Sequence, residues 1–272
     1  MYGAILGDII GSPFEFMKDH KTKDFPLFSN KSHFTDDTVM TIAICNGLCA
    51  EELDEKDSEV IKKSLVKSVQ MWGQHYPHVQ YGRRFKLYLY DKDAEPLNSF
   101  GNGSAMRVSS VGWLYDSLER TREIAKLTAI ISHNHIEGIK GAESVASAIY
   151  LARTGSSKKE IKEYIEKEFN YNLSRSLDEI RINYHHIESC QESVPESIIA
   201  FLEGKDFIDS IRNAVSLGGD SDTQACIAGS IAEAYWGISE ELKEECRKRV
   251  TSSVIRVLDY FDTVKKERRE RK

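Results

Sequence analysis

Glycine stands at positions 3, 7 and 11, set every fourth residue among Ala4, Ile5, Leu6, Ile9 and Ile10. On a helix this spacing puts all three on one face and makes a flat stripe, because residues four apart are neighbours. A second backbone can approach such a stripe closely, so the first element is expected to be a packed helix. Two acids interrupt it. Asp8 adjoins the stripe and faces either solvent or the core, and a buried carboxylate needs a partner. Glu15 follows Pro13, where the helix should stop.

Helical patterns recur along the rest of the chain. Val60, Ile61, Leu65, Val69 and Trp72 fall near a 3.6-residue period over 58–76. Helices are also expected over 104–114, 120–131, 138–153, from Pro195 to Phe201, over 206–215 and 224–236, and as one long charged helix over 241–264. Residues 85–90 are the one strand-like run and are left unassigned. Residues 156–195 carry little pattern and are expected to be a variable surface excursion. The reading is a mainly helical single domain spanning 1–272.

Charge and composition exclude several classes. With 40% hydrophobic and 29% charged residues among 272, the chain resembles an ordinary soluble globular protein. A net charge of −6 gives no general attraction for nucleic acid. The basic C-terminal tail, 265–272, reads as a solvated helix end because two glutamates interrupt it. No signal peptide and no apolar run of about 20 residues is visible, so a cytoplasmic protein is expected, without a membrane partner and monomeric. Five scattered cysteines without a C-x-x-C pair suggest neither a zinc site nor a disulfide framework.

The chemistry gathers in two acidic helix starts. Gly218-Gly219-Asp220-Ser221-Asp222-Thr223 crowds two carboxylates and two hydroxyls ahead of a long small-residue helix. Like charges this close need a counter-charge, and no Lys or Arg lies nearby in sequence; a hard cation supplies one. An ordinary cap by Ser221 or Asp222 is the other reading. The same vocabulary returns in Thr35-Asp36-Asp37-Thr38, which weighs against two independent caps. Between them, Ser99-Phe100-Gly101-Asn102-Gly103-Ser104 forms a glycine-rich turn suited to a phosphate. His133 and His135 read as hydrogen-bonding groups of a cleft rather than metal ligands. Oxygen donors without thiolates select Mg²⁺, Mn²⁺ or Ca²⁺, and two such clusters could hold two ions bridged by one carboxylate.

Taken in order, Gly3-x-x-x-Gly7-Asp8-x-x-Gly11-x-x-x-Glu15, Thr35-Asp36-Asp37-Thr38, Gly101-Asn102-Gly103-Ser104-Ala105-Met106-Arg107, Ser132-His133-Asn134-His135 and Gly218 to Thr223 resemble the ADP-ribosylglycohydrolase family. The resemblance runs from residue 3 to about 237 and implies an all-α, single-domain orthogonal helical bundle. It implies two Mg²⁺ (or Mn²⁺) ions at the base of an ADP-ribose cleft. By position, Thr35, Asp36 and Asp37 would hold one ion, Asp220 and Thr223 the other, and Asp222 would bridge. Glu15 and Asp37 would be catalytic. Ser99, Phe100, Gly101, Asn102, Gly103, His133, Gly219 and Ser221 would meet the substrate. The implied reaction is hydrolysis at C1″ of an ADP-ribosyl group on a modified protein or small conjugate. The alternatives are a non-catalytic ADP-ribose-binding relative and a metal-dependent nucleotide phosphohydrolase. Ser132 stands where many members have Thr, and Ile136 where many have Pro.

Overall fold

The computed structural model describes residues 1–17, 20–49 and 57–270, so Lys18 and the last two residues of the basic tail, Arg271 and Lys272, lie outside it. The described residues form fifteen α-helices: α1 (Tyr2–Gly11), α2 (Asp36–Cys49), α3 (Ser58–His75), α4 (Arg83–Tyr88), α5 (Gly103–Met106), α6 (Val111–Leu114), α7 (Leu118–Ile130), α8 (Ile136–Arg153), α9 (Lys158–Phe169), α10 (Leu177–Asn183), α11 (Cys190–Glu203), α12 (Phe207–Val215), α13 (Ser221–Trp236), α14 (Glu240–Arg247) and α15 (Ser252–Glu270). No strand occurs among the described residues, and no described helix is long and apolar enough to cross a membrane. The chain is a single all-α domain.

The glycine stripe sets the centre of this arrangement. Every residue of α1 is buried, and α1 packs most extensively against α13. A Cβ at Gly3 would stand 2.2 Å from the Gly229 carbonyl oxygen, one at Gly7 2.0 Å from that of Ala225, and one at Gly11 2.5 Å from that of Ser221. Only hydrogen fits at these three positions. The close contact therefore runs the length of α1 and ends beside the first turn of α13. Around this pair, α11 and α12 pack against α13, α2 packs against α3, and α7 packs against α8.

Several expected elements take other forms. Residues 85–90, strand-like in composition, lie largely in α4; Phe85 and Tyr88, three apart, stack with ring centroids 5.6 Å apart, so the helical period decides. The helix expected over 104–114 is broken into α5 and α6, because Arg107 leaves the helix with its side chain turned inward. The long helix expected over 241–264 is split into α14 and α15. Thr251-Ser252-Ser253 starts a new helix there, and the Ser253 hydroxyl meets that of Tyr76 at 2.7 Å. Helix α11 begins five residues before Pro195, where the Cys190 N–H is held by the Phe100 carbonyl at 2.9 Å. Residues 156–195 hold α9 and α10, and bury Ile161, Ile165, Leu173 and Leu177 in the core.

Candidate active site

The α1–α13 contact brings three chain segments to one point. Asp8, on α1, is wholly buried and turned toward α2. Its carboxylate accepts from the Thr35 N–H at 2.9 Å and hydroxyl at 2.8 Å, from the Thr38 N–H at 3.0 Å, and from the Thr38 hydroxyl. Asp8 thus caps α2 from another helix and satisfies N–H groups that a helix start leaves open. The first turn of α13 arrives on the other side. Its Thr223 hydroxyl donates to Asp37 Oδ2 at 3.1 Å, joining the two acidic motifs. Both helix N-termini point their partial positive charge at this cluster.

The carboxylates form two groups that share one member. Oxygens of Asp8, Asp37 and Asp222 lie within 4.8 Å of one another, as do oxygens of Glu15, Asp220 and Asp222. Burial, reinforced by neighbouring carboxylates, drives their acidities down. Glu15 is pushed up to about 8 by burial and then by Asp222. Asp220 is pushed up to about 7 by burial, against the hydrogen bond it accepts from Asn102 Nδ2 at 2.7 Å. Burial raises Asp36, Asp37 and Asp222 well above the usual range, with Asp222 acting on the first two and Asp220 on the third. Burial also raises Asp8, opposed by its hydrogen bonds from Thr35 and Thr38.

Like charges held this close need a cation or protons. Asp37 Oδ1 is buried with no hydrogen-bond partner among the described residues. An orphaned buried oxygen amid carboxylates and hydroxyls, with no thiolate or imidazole donor in the two groups, fits a hard divalent ion. Asp8 has its oxygens occupied by Thr35 and Thr38, so it serves to position α2. Among the described residues no cation closes an ion pair with Asp37, Asp220 or Asp222.

These acids floor a cleft of about 490 Å³. Of the residues expected at the site, Glu15, Asp36, Asp37, Asp220, Asp222, Thr223, Ser99, Gly101, Asn102, Gly103 and His133 line it. The turn at 101–103 is held by the segment before α11: the Asn102 N–H donates to the Glu188 carbonyl at 2.7 Å. Ser99 Oγ accepts from the Gly101 N–H at 3.1 Å. Burial, and next the Arg107 cation, keep His133 well below its usual pKa. Thr35 sits behind Asp37 with its hydroxyl on Asp8 and is not part of the lining.

Three expected substrate contacts lie elsewhere. Gly219 has φ +81° and lies outside the lining; a Cβ there would stand 2.6 Å from the His185 carbonyl oxygen, so its bareness admits the 185–186 backbone. Ser221 has no exposure, and its hydroxyl turns back to the Gly219 carbonyl at 3.4 Å. Phe100 stands outside the lining, its ring 5.5 Å from that of His135. Conversely, Tyr81, Arg83, Phe85, Arg107 and Glu188 line the cleft without having been singled out as substrate contacts. Asp8 was visible as the acid beside the glycine stripe. Glu188 belongs to the stretch without pattern and gave no signal.

Fold and site together define an all-helical protein that gathers carboxylates and hydroxyls on the floor of a cleft walled by a glycine turn. The sequence pattern of the ADP-ribosylglycohydrolase family matches residues 1–270, and the chain belongs to that family, a family of ADP-ribosylhydrolases. It is 28% identical to the ADP-ribosylhydrolase ARH3 of Homo sapiens over 319 aligned residues, covering 88% of this chain and 84% of that one. To the ADP-ribosylarginine hydrolase Tri1 of Pseudomonas putida (strain GB-1) it is 22% identical, covering 96% of this chain and 76% of the relative. A solved structure titled ADP-ribosylglycohydrolase-related protein complex superposes with a TM-score of 0.65 at 21% identity, covering 97% of this chain and 93% of that one, and so shares the fold.

Proposed function

We propose that the chain hydrolyses the glycosidic bond at C1″ of an ADP-ribosyl group, using two divalent ions of the Mg²⁺ or Mn²⁺ type. The observation that carries this is Asp222, shared by two carboxylate groups beneath a cleft walled by the Gly101–Gly103 turn and His133. Asp36, Asp37 and Asp222, braced by Thr35, would hold one ion; Asp220, Asp222 and Thr223 would hold the other. Bound there, the ions neutralise the carboxylates, polarise substrate oxygens and ease deprotonation of water.

The chain's own groups do the rest. The Gly103 N–H, the one N–H of the 101–103 turn not already held by a group among the described residues, with Ser99, Asn102 and His133, orients the ribose and diphosphate. Water adds to C1″ as the bond to the leaving nitrogen or oxygen breaks. The water's proton passes to Glu15 or Asp37, and the leaving group takes up a proton from solvent, which the base then releases. Glu15, with its pKa near 8, exchanges a proton readily around neutrality. Positive charge developing on the ribose ring is stabilised by the surrounding carboxylates.

Of the two relatives' names, one specifies ADP-ribosylarginine and the other specifies no linkage. A panel of arginine-linked and serine-linked peptides and O-acetyl-ADP-ribose, incubated with Mg²⁺, Mn²⁺ or a chelator, decides both linkage and metal. The expected result is ADP-ribose release that stops with chelation and in Asp220→Ala combined with Asp222→Ala. Release that survives either treatment sinks the metal assignment. The same reading has a monomer acting in the cytoplasm; light scattering of the purified chain checks the first part.

A further inference from the structure

Apart from the carboxylates, one buried line of polar groups ends at the cleft. Arg107 is 1% exposed and forms no ion pair with a carboxylate among the described residues. Its Nη2 donates to the Thr128 carbonyl at 2.6 Å and to the Ser132 hydroxyl at 2.8 Å. Ser132 has no exposure, and its oxygen lies 2.8 Å from His133 Nδ1. The other ring nitrogen, Nε2, faces the glycine turn, where a Cβ at Gly103 would stand 3.0 Å away. No protein group among the described residues hydrogen-bonds Nε2.

Counting protons selects one tautomer. A guanidinium only donates, so the Ser132 oxygen accepts from Arg107. Its own hydrogen then needs an acceptor, and among the described residues His133 Nδ1 is the one in place. A ring protonated at Nδ1, or at both nitrogens, would make the Ser132 oxygen accept twice and strand the hydroxyl hydrogen in the interior. A buried donor without a partner disfavours that arrangement by roughly tenfold or more.

We propose that Arg107 and Ser132 are positioning residues: through the Ser132 hydroxyl, the fixed guanidinium holds His133 as the neutral Nε2–H tautomer, which donates one hydrogen bond to an oxygen of the bound ADP-ribose. The Nε2–H points to an acceptor because the protein leaves it unpaired at a wall of the cleft. Burial beside the Arg107 cation acts in the same direction, since both oppose a second proton on the ring. The identity of the acceptor's parent molecule rests on the ADP-ribosylhydrolase reading; the tautomer does not.

The test is NMR of the full chain, with Mg²⁺ present and histidine ring nitrogens labelled, His133 being assigned by the signals lost in His133→Asn. Nδ1 is expected to read as an unprotonated acceptor and Nε2 as protonated near neutral pH. Ser132→Ala should lose that preference and weaken ADP-ribose binding, followed by calorimetry, about five- to tenfold. Ser132→Thr, which keeps the hydroxyl, should restore both. A wild-type ring protonated at Nδ1 or at both nitrogens overturns the proposal, as does Ser132→Ala with tautomer and affinity unchanged. Because the tautomer is read without turnover, a protein that fails to hydrolyse ADP-ribosyl groups leaves this arm intact, and an Nδ1–H ring leaves the hydrolysis intact.

Discussion

Replacing Asp220 by Asn should stabilise the metal-free protein while disabling the site. Asp220 is 5% exposed, and its carboxyl is raised from the ordinary 3.8 to about 7. The folded state therefore holds a proton between these values that the unfolded chain has released. Stability falls as pH rises through that window and is lowest above it. Each pKa unit is worth about 1.4 kcal/mol, so three units set a ceiling of about 4 kcal/mol. Shared protons among the neighbouring acids reduce this to about 1–3 kcal/mol. Asn carries no charge and keeps an oxygen for Asn102 Nδ2, which now donates to Asp220 at 2.7 Å. In chelator at pH 8, Asp220→Asn should unfold roughly 3–10 °C above the wild type; below the ordinary value of 3.8, where both states hold the proton, the two should coincide. Mg²⁺ or Mn²⁺ should then reverse the order, raising the wild type and leaving the variant nearly unmoved. Thermal unfolding followed by circular dichroism in chelator and in metal reads all four conditions. A variant no more stable than wild type at pH 8, or one whose advantage is the same at both pH values, would refute the reasoning.

Other perturbations separate scaffold from chemistry. Gly7→Ala drives a methyl to 2.0 Å from the Ala225 carbonyl and should cost about 3 kcal/mol or more, measured by urea unfolding. Asp8→Ala strands the Thr35 and Thr38 donors and should cost about 2–4 kcal/mol, with metal affinity falling in parallel because α2 is no longer held in place. Glu15→Gln, similar in shape, should lower kcat about 10²- to 10⁴-fold with little change in KM, as steady-state kinetics would show.

How much of this was legible beforehand follows from the range of each interaction. The glycine stripe announced a close helix pair because its signal lies within one turn of the chain, and the partner α13 could not be named because that contact spans more than two hundred residues. Both acidic helix starts were legible for the same local reason. What escaped was set by tertiary contacts. Asp8 became a cap for α2 only once α1 was buried, and Glu188 reached the cleft on a segment whose own sequence has no period. The crowding at Gly219 was not legible because its left-handed backbone makes room for His185, which only the fold brings there. The break after Met106 likewise depends on Arg107 turning inward to reach Thr128 and Ser132.

Product analysis by mass spectrometry from one defined ADP-ribosylated peptide, run with Mg²⁺ or Mn²⁺ and again with chelator, settles whether the acidic floor serves glycosidic hydrolysis. A metal-dependent glycosidase yields intact ADP-ribose and unmodified peptide, with neither formed after chelation. AMP in place of ADP-ribose would place the cleavage at the diphosphate, and ADP-ribose release indifferent to chelation would take the metal out of the reaction.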